Sequence, residues 1–476
     1  MRKLFAGMAL TMLLGGAGYG VAQSVRSISA ADKATGAKAH PGLLQEFGGA
    51  YTGRQAAYAT QVGRKVAIRS GLGNAESEFT VTLLDSSVNN AFAIPGGYVY
   101  VTRQLMTLAN DEAELASVLG HEVGHVAARH SASRNRTSIF GQIASVAAGV
   151  LTGNQAVGQL VGQGAQLVTL RFSRAQEYAA DDLGIRYITA AGWDPFASAD
   201  MLAALNRQTA LDQAVAGREG QGLPTWASTH PNGEDRVRRA ETQAAKTGVQ
   251  PGTRPRNRDT YLAQIDGLVW GDDPKQGIVD GQTFRHPQLK IAFTAPAGFQ
   301  MSNGADAVTV SGSGGQAQFG GGSGAAGLDQ HIQQVFAGLG QGAQPGPIQR
   351  TTVNGMAAAS SSTRAQTQQG AVDVTVFAYT AGTGTYHFLL LTPAGSGLGP
   401  FQSMVQSFTR LSDAEAARIR GKRIQIVTVG AGDSVATLAR RMAFADRQEQ
   451  RFRVLNGLEA DGAVRAGEKV KLVVNG

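Results

Sequence analysis

The residues of this 476-residue chain best suited to chemistry are His121-Glu122-Val123-Gly124-His125. On a helix, positions i and i+4 lie one above the other, so the imidazoles of His121 and His125 can ligate a single zinc ion. Glu122 stands beside that face. A carboxylate there can take a proton from a water whose pKa the metal lowers towards ~7, which is the chemistry of attacking a peptide carbonyl. A hydrolytic zinc also needs a third protein ligand and an open position. Glu177-Tyr178-Ala179-Ala180-Asp181 supplies two carboxylates at i and i+4, one to bind metal and the other to orient a ligand histidine. Upstream, Asn90-Ala91-Phe92-Ala93-Ile94-Pro95-Gly96-Gly97 reads as a strand edge that can pair with an extended peptide. Ser228-Thr229-His230-Pro231 sets a further histidine in a loop, six residues before Arg236.

These groups need a scaffold. Asn110-Asp111-Glu112 reads as a cap and acidic first turn for a helix running through Arg129, and a second helix spans about Arg174 to Ala190. Gln45 to Arg69 has apolar residues at helical spacing, while Phe79 to Leu84 and Gly97 to Val101 alternate as strands do. The chain has no cysteine, which excludes disulfides, thiolate metal sites, thiol nucleophiles and a lipidated N-terminal cysteine. Any metal site must therefore be built from Asp, Glu and the eight histidines.

HExxH followed by ExxxD, preceded by NAFAxPGG and followed by S-T-H-P, resembles the HtpX/BepA-type family of gluzincin zinc metallopeptidases over about residues 40–245. The resemblance implies one Zn2+ per chain on His121, His125 and Glu177, with Glu122 as catalytic base and Asp181 behind a ligand histidine. It places His230 close to the metal. There it either stabilises the tetrahedral oxyanion or occupies zinc's open position in a self-inhibited resting state. Arg236 joins the same polar cluster, and Asn90, Ala91, Phe92, Ala93, Pro95 and Gly96 form the substrate edge. The implied activity is a zinc-dependent endopeptidase of protein quality control at membranes. HtpX-type members are integral membrane enzymes and the BepA branch carries a helical repeat domain; this sequence reads with neither a convincing span nor a 34-residue repeat.

The remainder sets the expected organisation, an α+β multidomain chain. Met1-Arg2-Lys3, the apolar run Leu4 to Leu14 and the small residues before Ser24 have the layout of a cleavable signal peptide, residues 1–24. A mainly helical zincin-type domain with a small edge sheet follows over 25–250. It contains the uncharged stretch 137–170, read as helices packed over the zinc helices or, at most, as a peripheral membrane contact. Gly248 to Arg258 reads as a linker to an α+β domain, 251–411, with a long strand region Phe284 to Phe299 and a flexible Gly/Ser-rich loop Ser311 to Gly327. His130 reads as a structural residue at a helix end, and His40, His286, His331 and His387 as surface or packing residues. Residues 412–476 read as a connector helix and a βααβ module resembling LysM over 424–474, which implies binding to peptidoglycan. From Asp413 onward there are 12 basic and 8 acidic residues, half of the formal net charge of +8. Export and the lack of a concentrated basic-aromatic patch argue against nucleic acid. The expectation is a periplasmic, non-lipidated endopeptidase acting on polypeptides. The competing reading is a wall-binding scaffold or chaperone with a latched or vestigial peptidase.

Overall fold

The computed structural model describes residues 27–130, 172–216, 226, 230, 233–304, 307–323, 327–339, 344–367 and 370–476. The expected signal peptide, the uncharged stretch 137–170, and Ser228, Thr229 and Pro231 lie outside the described residues. Among the described residues no helix is long and apolar enough to cross a membrane.

The first helix, α1 (Ala30–Glu46), is capped by Ser29, whose side chain accepts from the Asp32 amide. The helix expected from Gln45 to Arg69 is instead broken, and α2 (Arg54–Ala67) starts afresh. The reason is local: Gly48, Gly49 and Gly53 take φ values of +81°, +93° and +97°, which a right-handed helix cannot contain. Next come β1 (Thr80–Leu84), β2 (Ala91–Ile94) and β3 (Tyr98–Thr102), a sheet ordered β1-β3-β2 with β1 parallel and β2 antiparallel to β3. β2 is therefore an edge.

Two helices follow, α3 (Arg103–Leu108) and α4 (Glu112–Ala127), the latter carrying HExxH. The start of α4 is fixed by charge. The Asp111 side chain accepts from the Glu114 amide at 2.9 Å. Arg256 reaches back to Asp111 at 2.6 Å, Glu114 at 3.2 Å and Asp200 at 2.6 Å. Glu112 accepts from Trp193 and Asn257, both at 2.8 Å, and from the Tyr58 hydroxyl at 2.5 Å. The segment expected to be a linker is thus tied to the first turn of the metal-site helix, where carboxylates also suit the helix dipole.

Helix α5 (Arg174–Ala190) opens with a capping box between Ser173 and Gln176 and crosses α4 at backbone contact. A Cβ built on Gly184 would sit 2.9 Å from the backbone nitrogen of His121, one on Gly124 3.0 Å from the Ala180 carbonyl oxygen, and one on Gly120 3.3 Å from Gly184 Cα. At Gly184 only glycine leaves room, and at Gly124 and Gly120 a side chain would press the facing backbone. The crossing brings the ExxxD face of α5 onto the HExxH face of α4. Helices α6 (Ala197–Ala216) and α7 (Glu234–Lys246) close the layer, and α8 (Arg258–Ile265) lies over α2.

Beyond β4 (Val269–Trp270) the chain builds two sheets. β5 (Ile278–Asp280), β6 (Thr283–His286), β7 (Ile291–Thr294) and β15 (Thr409–Arg410) are ordered β15-β7-β6-β5. The strand expected from Phe284 to Phe299 is thereby divided between β6 and β7, with Lys290 at φ +54° in the turn between them, and residues 295–299 lie outside any strand. The larger sheet contains β8 (Gln300–Asn303), β9 (Val308–Gly312), β10 (Gly315–Ser323), β11 (Gln349–Val353), β12 (Met356–Thr367), β13 (Gly370–Ala381) and β14 (Gly384–Pro393), ordered β11-β12-β13-β14-β10-β9-β8. Most of the loop expected over Ser311 to Gly327 is strand. Its glycines 320–322 are held in the strand by pairing with β14, while residues 315–319 pair with β9. Helix α9 (Leu328–Gly338) buries Ile332 and Phe336 on one face of the sheet. Phenylalanines, among them Phe284, Phe293, Phe388 and Phe408, fill the other.

The tail follows a capped helix, α10 (Asp413–Arg418), and runs β16 (Lys422–Thr428), α11 (Val435–Ala439), α12 (Gln448–Leu455) and β17 (Lys469–Asn475). β16 pairs with β17 and also with β4. Leu438, Phe452 and Leu472 share one core with Val62, Leu105, Leu119 and Trp193. Lys471 is fully buried, and its ammonium donates to the carbonyls of Thr107, Leu108 and Ala109 at 2.9, 3.0 and 2.8 Å. These lie at the C-terminal end of α3, where a cation satisfies carbonyls that lack helical partners.

The α4–α5 crossing generates a test with an unusual sign. Gly to Ala in an open helix gains up to about 1 kcal/mol. At Gly184 the added methyl meets backbone, so Gly184→Ala is expected to cost roughly 1–3 kcal/mol instead. Chemical denaturation of the two proteins measures this, and a raised midpoint in the variant would contradict the contact.

Candidate metal centre

Four side chains converge where α4 and α5 cross. One ligand atom each from His121, His125, Glu177 and His230 lies within 4.8 Å of all the others, and all four residues are buried. His121 Nε2 is 3.0 Å from His125 Nε2, 3.3 Å from His230 Nδ1 and 3.4 Å from Glu177 Oε2. His230 Nδ1 is 3.0 Å and 3.1 Å from the two Glu177 oxygens, and His125 Nε2 is 3.6 Å from Glu177 Oε1. Zinc bonds of 2.0–2.1 Å at tetrahedral angles require edges of about 3.3 Å between donor atoms. These separations bracket that value, and the donors are the nitrogen and oxygen types zinc accepts, so the residues fit the ion.

The surroundings fix the donors. Asp181 Oδ1 lies 2.8 Å from His121 Nδ1 and so turns Nε2 towards the cluster. Arg236, on α7, donates to both Asp181 oxygens at 2.9 and 2.7 Å and pairs with Glu177 Oε2 at 3.0 Å. Burial alone would raise Glu177. The charge of His230 and hydrogen bonds from His121 and His230 outweigh it and hold the carboxyl well below its usual range. Burial likewise lowers His121, but hydrogen bonds to Asp181 and Glu177 carry it up to about 9.

Glu122 is different. It is fully buried, burial raises its pKa, and neither carboxylate oxygen has a hydrogen-bond partner among the described residues. His230 Nε2 lies 3.6 Å from Glu122 Oε1. A desolvated, unpartnered carboxylate beside a metal-ligand cluster is poised to accept a proton.

Residues Asn90 to Ala93 lie at the β2 edge, while Pro95 and Gly96 fall in the β2–β3 turn. The turn is packed against α1: a Cβ on Gly36 would lie 2.1 Å from the Pro95 carbonyl oxygen, and one on Gly96, at φ +95°, 2.8 Å from that of Asp32. Asn90 Oδ1 is buried without a partner among the described residues.

Three further residues complete the centre. His130 Nδ1 lies 2.9 Å from His125 Nδ1, so the histidine read as a structural helix end orients a member of the cluster. Its spacing of five from His125 was the available signal. Phe172 stacks on His125 with ring centroids 3.9 Å apart, and Trp226 stacks on His230 at 4.1 Å. The Trp226 amide donates to the Asn89 carbonyl at 3.0 Å, beside the start of β2. No sequence spacing links these aromatics to the histidines they cover.

Residues 53–244 match the model of Peptidase family M48. Mitochondrial metalloendopeptidase OMA1 of Schizosaccharomyces pombe is 30% identical over 210 residues, covering 43% of this chain and 57% of that protein. Its namesake in Arabidopsis thaliana is 28% identical over 184 residues, 36% of this chain and 35% of that protein. The Beta-barrel assembly-enhancing protease of Escherichia coli is 29% identical over 208 residues, 42% of this chain and 41% of that protein. The chain thus spans between about a third and three fifths of the length of these relatives. Residues 53–244, the region that holds the histidine–glutamate cluster, are thus similar to peptidase family M48, whose members depend on zinc.

Proposed function

We propose that the chain is an exported zinc-dependent endopeptidase that hydrolyses peptide bonds in misfolded or misassembled envelope proteins. The observation that carries this reading is Glu122, a buried carboxylate with two unpartnered oxygens beside the His121, His125, Glu177 and His230 cluster. In this reading His121, His125 and Glu177 hold the metal. Bound zinc would supply a Lewis acid for the scissile carbonyl and lower the pKa of water. Glu122 takes the proton of the attacking water and passes it to the leaving amide nitrogen. Asp181 fixes the His121 tautomer, and Arg236 holds Asp181 and Glu177 in place against their mutual repulsion. The substrate adds as a strand to the free edge of β2, with Asn90 Oδ1 available to one of its amides.

His230 favours a second feature, a latched resting state. Its Nδ1 stands at the fourth corner of the cluster rather than displaced from it, and Trp226 braces its ring. Substrate must then displace this histidine before the carbonyl can approach. The same latch is what a scaffold or chaperone role with a silent peptidase would use, so activity decides between them.

Location and the tail belong to the same proposal. Residues 1–24 direct export to the periplasm, as their basic start and apolar run suggest. Residues 424–474, with a βααβ element order, bind peptidoglycan. Retention of the purified full chain on peptidoglycan sacculi is expected; passage through the sediment unbound would remove the wall-binding part and leave the peptidase part standing.

With a denatured protein as substrate, Glu122→Gln is expected to retain zinc and lose activity by roughly 10²–10⁴-fold. Equal cleavage by wild type, Glu122→Gln and chelator-treated enzyme would overturn the peptidase reading. His230→Ala is expected to raise basal cleavage by releasing the latch. A fall would assign His230 to the oxyanion instead.

A further inference from the structure

A pocket beside the cluster is built partly by residues outside the M48-matching region. It is lined by Ile28, Leu72, Ile94, Val126 and Ala127, reaches His125, and has an empty volume of about 490 Å³, part of it open to solvent. Its wall is rigid. The Ile28 amide donates to Glu78 Oε2 at 3.1 Å, and Lys33 pairs with Glu78 Oε1 at 2.7 Å, which pins the first turn of α1. The glycines of the β2–β3 turn admit that turn of helix: a Cβ on Gly97 would lie 2.7 Å from Ile28 Cδ1. In the same lining, Asp32 on α1 pairs with Arg129 at 3.4 Å, just past the end of α4.

Resting on the endopeptidase reading above, we infer that this pocket is a side-chain subsite that selects an aliphatic residue of the polypeptide substrate at one fixed position from the scissile bond. The geometry gives the reason. A peptide added to the edge of β2 runs past Ile94, the last residue of that strand and a wall of the pocket, and the pocket's opposite wall is the turn of α4 that carries His125. Alternate side chains of an added strand point to the same face, so one residue near the reacting carbonyl is directed at this opening. Much of the lining is aliphatic carbon, and its two charged side chains, Asp32 and Arg129, are paired with each other. Burying an aliphatic chain there is favourable and burying a charge is not. Because Ile28 and Asp32 precede residue 53, the selectivity is set by a helix that the family match does not include.

The test uses the zinc-loaded full chain, a denatured protein mixture as substrate and mass spectrometry of the cut sites, followed by kcat/KM on short peptides. Wild type is expected to show Leu, Ile, Val or Met enriched at one position. Ala127→Phe, which fills the pocket, should lower kcat/KM for the best aliphatic peptide at least tenfold, mainly through KM, and shift the preference to Gly, Ala and Ser. Ile28→Ala, which enlarges it from the α1 side, should shift preference towards Phe and Tyr, and it decides the matter if the first variant does not fold. A cut-site distribution unchanged in both variants, or a wild-type distribution without an apolar position, overturns the subsite while leaving the peptidase intact. Absence of any cleavage by zinc-loaded wild type overturns the endopeptidase reading and the subsite with it.

Discussion

The backbone contact between α4 and α5 is the constraint on which the rest of the centre depends. HExxH alone presents two imidazoles and a carboxylate on one helix. A third donor must arrive from elsewhere at about 3.3 Å from the first two. Ordinary helix pairs, held 8–10 Å apart by side chains, would leave Glu177 reaching across a gap. Here Gly120, Gly124 and Gly184 remove the intervening side chains, and Glu177 and Asp181 rise directly against His121. The cost of the close approach is burial of two carboxylates one turn apart. Arg236 offsets it by ion pairs to both. An isolated buried carboxylate would protonate; Arg236 counters this chiefly at Asp181, and His230 and His121 at Glu177.

Much of this was legible in the sequence because it is helical and local. HExxH and ExxxD both follow from the i, i+4 rule, and the α4 start from its cap and acidic turn. The alternation of β1 and β3 is a period-two pattern, and it too was readable. What escaped was set by contact between distant segments. His130 looked like a helix end because its partnership with His125 depends on Arg129 adopting φ +56°, which ends the helix and folds His130 back. Phe172 and Trp226 are single aromatics without periodicity. Glycine misled in both directions: at 48, 49 and 53 it broke an expected helix, whereas at 320–322 it lay inside a paired strand. Composition signals turns, but pairing with a neighbouring strand, here β14, decides whether a glycine-rich segment is one.

The NAFAxPGG motif shows how one sequence pattern serves two physical ends. Its first half forms β2, an edge strand among the described residues. Its second half, Pro95-Gly96-Gly97, has two successive positive φ values, +95° and +85° at the glycines, and no Cβ to hold α1 away. A motif read as a substrate edge is therefore also the seat of the helix that walls one side of the cleft. His40 on α1 completes the seat through a 2.7 Å contact with the Tyr100 hydroxyl.

The tail makes the same point at long range. Lys469-Val470-Lys471-Leu472-Val473-Val474 alternates charge and carbon, and such a strand normally turns its lysines to water. Lys471 instead points inward because β17 passes the C-terminal end of α3, where three carbonyls await donors. Burial pushes the Lys471 pKa well below its usual range; the helix-end carbonyls accept its hydrogen bonds, and the charges of Glu114 and Asp111 favour the ammonium. Asn456 binds the Lys471 backbone on both sides, and Gly457 leaves no room for a Cβ against Asn110, the residue that precedes the α4 cap. The strand that ends the chain and the turn that begins the metal-site helix are thus one piece of packing. Whatever the outer surface of the tail contacts, its inner surface is already committed to holding α3 and the start of α4 in register with the core.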